Sequence, residues 1–126
     1  MDRIEGSENA DDSSVLISLR EARLRRGMPV TFHRRELDLL LRLYGRMVAA
    51  NEWRDYALDH LDDRAVFSVY RRTSETPLYQ ITKTPELARR QGAWAVIAAG
   101  GRVLKRGHEL ERVLAVFDNK LRVVAE

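Results

Sequence analysis

Four aspartates lie close to His60 in the sequence, and this cluster is the first candidate for chemistry. They are Asp55, Asp59, Asp62 and Asp63. A pair of carboxylates beside a histidine can transfer protons. Asp55 and Asp59 share one face of an extended strand because side chains alternate along it. The sequence therefore allows a small enzyme that uses Asp55, Asp59 and His60.

The same residues also have an ordinary structural explanation, which we favour. Asp62-Asp63 lies where a hairpin turn is expected, and aspartate is a common turn residue. Charged side chains on a strand also keep an exposed edge from pairing with other chains. No nucleophile and no oxyanion-binding motif accompanies the cluster, so we assign no catalytic residue.

The histidines give no sign of a metal site. His33, His60 and His108 are never three or four positions apart, so local HxxxH and HExxH patterns are absent. The chain has no cysteine, which excludes disulfides, thiolate metal ligands and cysteine nucleophiles. We therefore predict no metal and no cofactor.

Basic pairs are the better candidates for binding. Arginine outnumbers lysine 19 to 3, and its planar guanidinium recognises phosphates and carboxylates, although genomic base composition produces the same bias. The pairs that we predict to bind nucleic acid or another anion are Arg71-Arg72, Arg89-Arg90 and Lys105-Arg106. If one surface gathers them, they form a phosphate-binding stripe with strongly salt-dependent affinity. If they scatter, they are solvated surface.

The last of these pairs lies in a distinctive setting. Gly100-Gly101 predicts a tight turn, and Lys105-Arg106-Gly107 then leads into the last predicted helix. Backbone N–H groups and cations at a helix start suit a phosphate or a carboxylate, although no P-loop motif is present. The order of elements resembles double-stranded RNA-binding domains in topology, with two additional strands here. The plain alternative is a hairpin followed by a capped helix.

Charge is unevenly distributed along the chain. Residues 1–13 carry a net charge of −4 against +3 for the whole, so the remainder carries +7. We predict an acidic disordered tail with an arginine-rich segment over residues 1–29, and a single domain over residues 30–126. No signal peptide and no long apolar run is present, so we expect a cytoplasmic protein without a membrane span.

Two long helices are predicted. The first spans residues 34–50, and the second spans residues 108–123. The apolar stripe of the first consists of Leu37, Leu40, Leu41, Tyr44, Met47 and Val48. The second helix is expected to bury Leu110, Val113, Leu114, Phe117 and Leu121.

Between these helices the spacing of the apolar residues changes from the helical period to the alternation that is typical of strands. The predicted strands span residues 53–61, 65–72, 78–83, 94–98 and 102–105. In the first, Trp53 is expected on the same face as Asp55 and Asp59. The predicted fold class is α+β, with a five-stranded antiparallel meander and the two long helices packed on one face.

Three stretches of the chain resemble a known family. The run LYGRMVAANEWRDYALDHLDDRAVFSVYRR, which starts at Leu43, is similar to alphaproteobacterial proteins grouped as domain of unknown function 2794. PLYQITKTPELARRQGAWAV and RVLKRGHELERVL resemble later blocks of the same family. The resemblance covers about Val30 to Val123. It implies a cytoplasmic bacterial protein and carries no activity, cofactor or site residue to any position.

These observations favour a binding or adaptor module over an enzyme. Its basic surface is expected to contact nucleic acid or an acidic protein. The alternative is a protein-interaction or homodimeric domain that uses a sheet edge or the segment Val15–Leu19.

Overall fold

The computed structural model describes residues 28–72 and 76–118, which form an antiparallel sheet with helices on one face. The strands pair in sequence order, β1-β2-β3-β4-β5, so the sheet is a simple meander with β1 and β5 at its edges. The strands are β1 (Asp55–His60), β2 (Ala65–Tyr70), β3 (Tyr79–Lys83), β4 (Trp94–Ala98) and β5 (Val103–Gly107). The predicted α+β class and five-stranded meander are confirmed.

The prediction of two long helices is wrong for the second one. Helix α1 (Arg34–Ala49) has 16 residues, whereas α2 (Leu110–Leu114) has five and continues as a 3₁₀ turn, Ala115–Phe117. Strand β5 extends to Gly107, so the chain becomes helical later than its apolar pattern suggests. The predicted apolar face is nevertheless buried at Leu110, Val113, Leu114 and Phe117. The remainder of that predicted helix, with Leu121, lies outside the described residues, as do residues 1–27.

Helix α1 packs on the sheet through a stripe that shares Leu40 and Met47 with the predicted one but is rotated toward Leu43. Leu40, Leu43 and Met47 are fully buried, while Leu41 and Val48 are 36% and 41% exposed. The pattern was ambiguous because five leucines between positions 37 and 43 allow two overlapping stripes. The sheet selects the stripe centred on Leu43, and Leu41 and Val48 then lie on a flank of the helix.

The first turn of α1 is tied to the sheet by Lys83. The Glu36 carboxylate accepts the His33 N–H at 3.0 Å, as in a capping box. Lys83 Nζ lies 2.7 Å from the same carboxylate and donates to the Thr31 carbonyl at 2.9 Å. Both charged side chains are less than one-fifth exposed. This contact joins the start of α1 to the end of β3.

Trp53 closes the core at the other end of α1. The prediction placed it in a strand beside Asp55, but the chain turns at Asn51, whose φ is +65°, and β1 begins only after Arg54. The turn interrupts the alternation and directs Trp53 into the core, where it is 1% exposed. Its ring meets Phe117 edge-on at 5.2 Å. Trp94 is buried as well, stacked on Phe32 at 6.1 Å.

The opposite face of the sheet carries small and polar side chains. Ser68, Thr82 and Ala95 are buried there, and Gln80 Nε2 donates to Ser68 Oγ at 3.2 Å. The strand register places these residues on the face away from the core residues Phe67, Ile81 and Val96.

Two predicted turns are confirmed. The Leu61 N–H donates to the Arg64 carbonyl at 2.8 Å, so the Asp62-Asp63 pair forms the β1–β2 hairpin turn. Gly100 and Gly101 both have φ of +89°, a conformation that glycine adopts without strain.

Two glycines give opposite predictions for stability. Gly45 lies on α1 with nothing within 4 Å of an added Cβ, so Gly45→Ala should raise the free energy of unfolding by about 1 kcal/mol. Gly92 has φ of +104°, and a Cβ there would overlap the Gly107 carbonyl. Gly92→Ala should therefore destabilise the fold by more than ~1 kcal/mol. Urea denaturation of both variants checks this; a stabilised Gly92→Ala would contradict the described packing.

The Lys83–Glu36 contact predicts a second stability effect. Lys83→Met should lower the free energy of unfolding by about 1–3 kcal/mol, because it removes the ammonium group beside a largely buried carboxylate, which then keeps only its contacts with His33. Arg112→Met is the matched control. It breaks the exposed Arg112–Glu109 pair and should cost less than ~1 kcal/mol. Equal losses in the two variants would refute a special role for Lys83.

Candidate functional site

The six basic residues predicted to bind an anion do not share one surface. Arg71-Arg72 follows β2 at the end of the sheet where β3 begins. Arg89-Arg90 lies in the β3–β4 connection at the opposite end, roughly 17 Å away along the strands. Lys105-Arg106 lies near that same opposite end, where β5 pairs with the start of β4. The structure thus separates one pair from the other two.

The segments that carry the remaining four cations are adjacent, because the β3–β4 connection packs against the end of β5. Arg106 Nη1 lies 3.4 Å from the Gly92 carbonyl oxygen, and His108 Nδ1 lies 3.0 Å from the Ala88 oxygen. Gly92 approaches Gly107 so closely that no side chain fits between them. These contacts hold the connection, with its two arginines, against β5. We call this surface the β5 corner; it comprises Arg89, Arg90, Lys105, Arg106, His108 and Arg112.

A shallow cleft of about 320 Å³ lies within the β5 corner. Its lining includes Lys105, Arg106, His108 and Arg112, with Glu109 as its acidic member. Glu109 pairs with Arg112 at 3.0 Å, and both side chains are exposed. The cleft therefore remains positive overall and open to solvent. Sequence reasoning did not assign His108 or Arg112 to a binding site; His108 lies two positions after the basic pair, and Arg112 lies six positions after it, within α2.

The register of β5 sends its two cations to different faces of the sheet. Lys105 pairs with Val96, which belongs to the helix-bearing face, whereas Arg106 pairs with Ala95 on the other face. An extra residue, Leu104, interrupts the pairing with β4 as a bulge does. The β5 edge thus presents positive charge on both sides.

Arg71 and Arg72 contribute to a separate cleft at the other end of the sheet. With Asn51 and Arg54 they line a space of about 530 Å³. Arg71 lies 3.8 Å from Glu52, which offsets part of its charge. The cleft lies beside the C-terminal end of α1, where the helix dipole disfavours an anion. The helix end and Glu52 therefore both make this cleft less favourable to an anion, and Arg54 is a lining residue that the sequence pattern did not indicate.

The acidic cluster does not assemble as an acid–base site. Asp55 and Asp59 share one face of β1, as predicted, but the register places His60 on the opposite face. The His60 ring lies 6.3 Å from Phe32, on the helix side. Asp55 is occupied locally, since its carboxylate accepts the Tyr56 N–H at 2.8 Å. Within the described ranges, no group of three or more histidine and acidic side chains is placed to hold a metal ion.

A second surface, which is apolar, lies along the β1 edge. We call it the β1-edge patch; its residues are Leu41, Tyr44 and Val48 from α1 and Tyr56 and Leu58 from β1. The Tyr44 and Tyr56 rings meet edge-on at 4.8 Å, which joins the helix flank to the strand. Leu41, Val48, Tyr56 and Leu58 are each more than one-third exposed. Clustered exposure of large apolar side chains is typical of an interaction surface.

The environment of Tyr44 changes its acidity. Partial burial raises the pKa of the Tyr44 phenol, and the neighbouring Asp55 carboxylate and Tyr56 phenol raise this pKa further. The phenol therefore stays protonated to higher pH in the folded chain than in the unfolded chain.

Comparison with known proteins assigns the domain to a family. A family model described as a protein of unknown function, DUF2794, matches residues 30–114. The match covers more than half of the chain and includes all five strands and both α-helices, so the chain belongs to this family. Nothing among curated proteins or solved structures matches the chain. Among the described helices, none is long and apolar enough to cross a membrane.

The raised pKa of Tyr44 predicts a pH effect. The protonated Tyr44 phenol contributes fully to the stability of the fold below pH ~10, which is the usual pKa of tyrosine. This contribution is lost as the pH rises through the raised pKa of the folded state. The difference in unfolding free energy between the natural chain and Tyr44→Phe should be constant up to about pH 9 and should fall above it. Urea titrations across this range measure the difference. A difference that stays flat to pH 11 would contradict the inferred shift.

Proposed function

We propose that this protein is a non-enzymatic binding module whose β5 corner holds the phosphate backbone of a nucleic acid. The proposal depends chiefly on one observation. Four of the six predicted cations come from two separate stretches of sequence, and these two stretches are in contact through Gly92 with Gly107 and through His108 with Ala88. His108 and Arg112 add further donors to the same surface.

The exposure of these side chains suits a polyanion on the surface. Arg89, Arg90 and Lys105 are exposed, and Arg106 is half-buried against the connection. A small-molecule site usually encloses its ligand in a mostly apolar pocket. The β5 corner is instead open and charged, and phosphate groups that repeat along a backbone can engage several separated cations at once.

The position of the corner on an edge strand also supports this function. Lys105 and Arg106 leave β5 on opposite faces, so a strand of nucleic acid lying along the edge meets cations from both sides. Such contacts position a backbone without reading its bases. We therefore expect binding with little sequence preference and with strong salt dependence.

The support for binding over catalysis is equally specific. His60 lies on the face opposite to Asp55 and Asp59, so the three residues cannot act on one substrate atom. Their positions fit a hairpin edge, with Asp62-Asp63 in the turn.

The proposal predicts where neutralised charges matter. Arg90→Gln with Lys105→Gln should weaken binding to labelled duplex DNA, structured RNA or single strands at least about 10-fold. For duplex DNA the same change should make the slope of log affinity against log salt shallower by about 2. Fluorescence anisotropy at two or more salt concentrations measures both quantities.

The matched control removes the same number of charges at the other end of the sheet. Arg71→Gln with Arg72→Gln should change the affinity by less than about 3-fold, because these residues lie roughly 17 Å from the corner. An equal loss in both variants would show that net charge alone governs binding. Absence of binding to every nucleic acid at low salt would overturn the proposal, and binding to polyglutamate alone would point to an acidic protein instead.

A further inference from the structure

The β1 edge has the features of a strand that pairs with another chain. Its outer side is flanked by the β1-edge patch, and it lies at the end of the sheet opposite to the basic β5 edge. We propose that β1 pairs in antiparallel fashion with β1 of a second copy, with Leu58 of each copy facing Leu58 of the other across a two-fold axis. This inference is independent of the proposed nucleic-acid binding.

The backbone of β1 alternates between bonding to β2 and pointing outward. The Leu61 N–H bonds to Arg64 in the hairpin turn, so by alternation Asp55, Ala57 and Asp59 also bond to β2. The N–H and C=O groups of Tyr56, Leu58 and His60 then point away from the sheet. The Tyr56 N–H indeed bonds to the Asp55 side chain rather than to β2. The edge thus offers both backbone groups of Leu58 and His60 for pairing, together with the C=O group of Tyr56, whose N–H is held by Asp55.

The side of α1 that faces this edge is apolar. Leu41, Tyr44 and Val48 lie about 100° around the helix from its buried stripe. The other flank of α1 carries Leu39, Arg42 and Arg46 and faces α2 across a separate cleft. The ring contact of Tyr44 with Tyr56 shows that the apolar flank is the one above β1. A second copy added at β1 would therefore bury this flank together with the edge.

Symmetry limits how two copies of β1 can pair. A two-fold axis perpendicular to the sheet keeps both α1 helices on one face and pairs residues that lie on the same face. Two registers then centre on the middle of β1: Ala57 opposite Ala57, or Leu58 opposite Leu58.

Charge decides between these registers. Centring on Ala57 places Asp55 opposite Asp59 twice, and like charges directly opposite each other are unfavourable. Centring on Leu58 places Tyr56 opposite His60 and Asp59 opposite Ala57. It also aligns the three outward-facing residues of each copy with those of the other. The second register is therefore favoured, because it avoids the repulsion by which Asp55 and Asp59 would otherwise keep this edge from pairing.

The same register is complementary beyond the ends of the strand. Arg54, directly before β1, then lies at the same end of the pairing as the Asp62-Asp63 turn of the second copy, and the two-fold axis repeats this at the other end. On the helix side, Leu58 meets Leu58 and Tyr56 meets His60, so no lysine or arginine from β1 enters the apolar contact. This self-complementarity identifies the occupant of the edge as a second copy of the chain.

The other edge of the sheet is built differently. β5 carries Lys105 and Arg106 and a bulge at Leu104, and both features discourage strand pairing. The dimer would therefore form one continuous ten-stranded sheet rather than an open fibre. Its two β5 corners would lie at the outer ends, roughly 43 Å apart across nine strand spacings.

The first test is the mass of the full chain in solution. Size-exclusion chromatography with light scattering should give twice the 14.6 kDa chain mass. Leu58→Lys places two like charges on the axis and should raise the dimer dissociation constant at least about 10-fold. Val103→Lys, at an exposed apolar residue of the other edge strand, is the matched control and should leave the dimer intact. Circular dichroism verifies that both variants fold.

The second test measures the register. The chain contains no cysteine, so single introduced cysteines report contacts without background. Cα atoms of a hydrogen-bonded antiparallel pair are about 5.5 Å apart, within the range of a disulfide. Under oxidation Leu58→Cys should give a covalent dimer on a non-reducing gel, and Ala57→Cys should not. A monomer at high concentration, a dimer insensitive to Leu58→Lys, or cross-linking through Ala57→Cys instead would each overturn the proposal.

Discussion

The packing of α1 on the sheet through Leu40, Leu43 and Met47 determines most of what this molecule presents to its surroundings. These side chains are fully buried, and truncation of such residues typically costs about 2–5 kcal/mol each. The stripe fixes the rotation of the helix about its axis. Lys83 secures its first turn, and Trp53 closes the core beyond its last turn. With the rotation fixed, every other side chain of α1 has an assigned direction.

Two flanks of different character follow from this rotation. One faces α2 and carries arginines, whereas the other lies above β1 and carries Leu41, Tyr44 and Val48. Because the sheet is a meander, its first and last strands are both edges. The apolar flank lies at the β1 edge, and the basic residues lie at the β5 edge. A one-sided helical layer and a meander together therefore give a domain with two unlike edges, one flanked by apolar side chains and the other by basic ones.

The β5 corner shows how backbone packing can make a charged surface. Gly92 and Gly107 come into contact because neither has a side chain, and this contact brings the β3–β4 connection onto the end of β5. Arg89 and Arg90 then lie near Lys105 and Arg106, although more than a dozen residues separate the pairs in sequence. Arg71 and Arg72 have the same composition but lie at the far end of β2, next to Glu52. The two groups of cations lie apart because β2 ends at one end of the sheet, whereas β3 and β5 end at the other.

The sequence by itself determined the fold class, the order of the five strands and the turns at Asp62-Asp63 and Gly100-Gly101, because alternation and turn chemistry are local. It also indicated which cations to consider. It did not determine the stripe that α1 buries, since the leucines from 37 to 43 satisfy two helical phases. It misplaced Trp53 because a turn at Asn51 interrupts the strand pattern, and it overestimated the length of α2. The alternation within β1 already puts His60 on the face opposite to Asp55 and Asp59, whereas only the tertiary structure decided which basic segments are adjacent and which face of the sheet the helices cover. These properties depend on register and on contacts between distant segments, which no local pattern records.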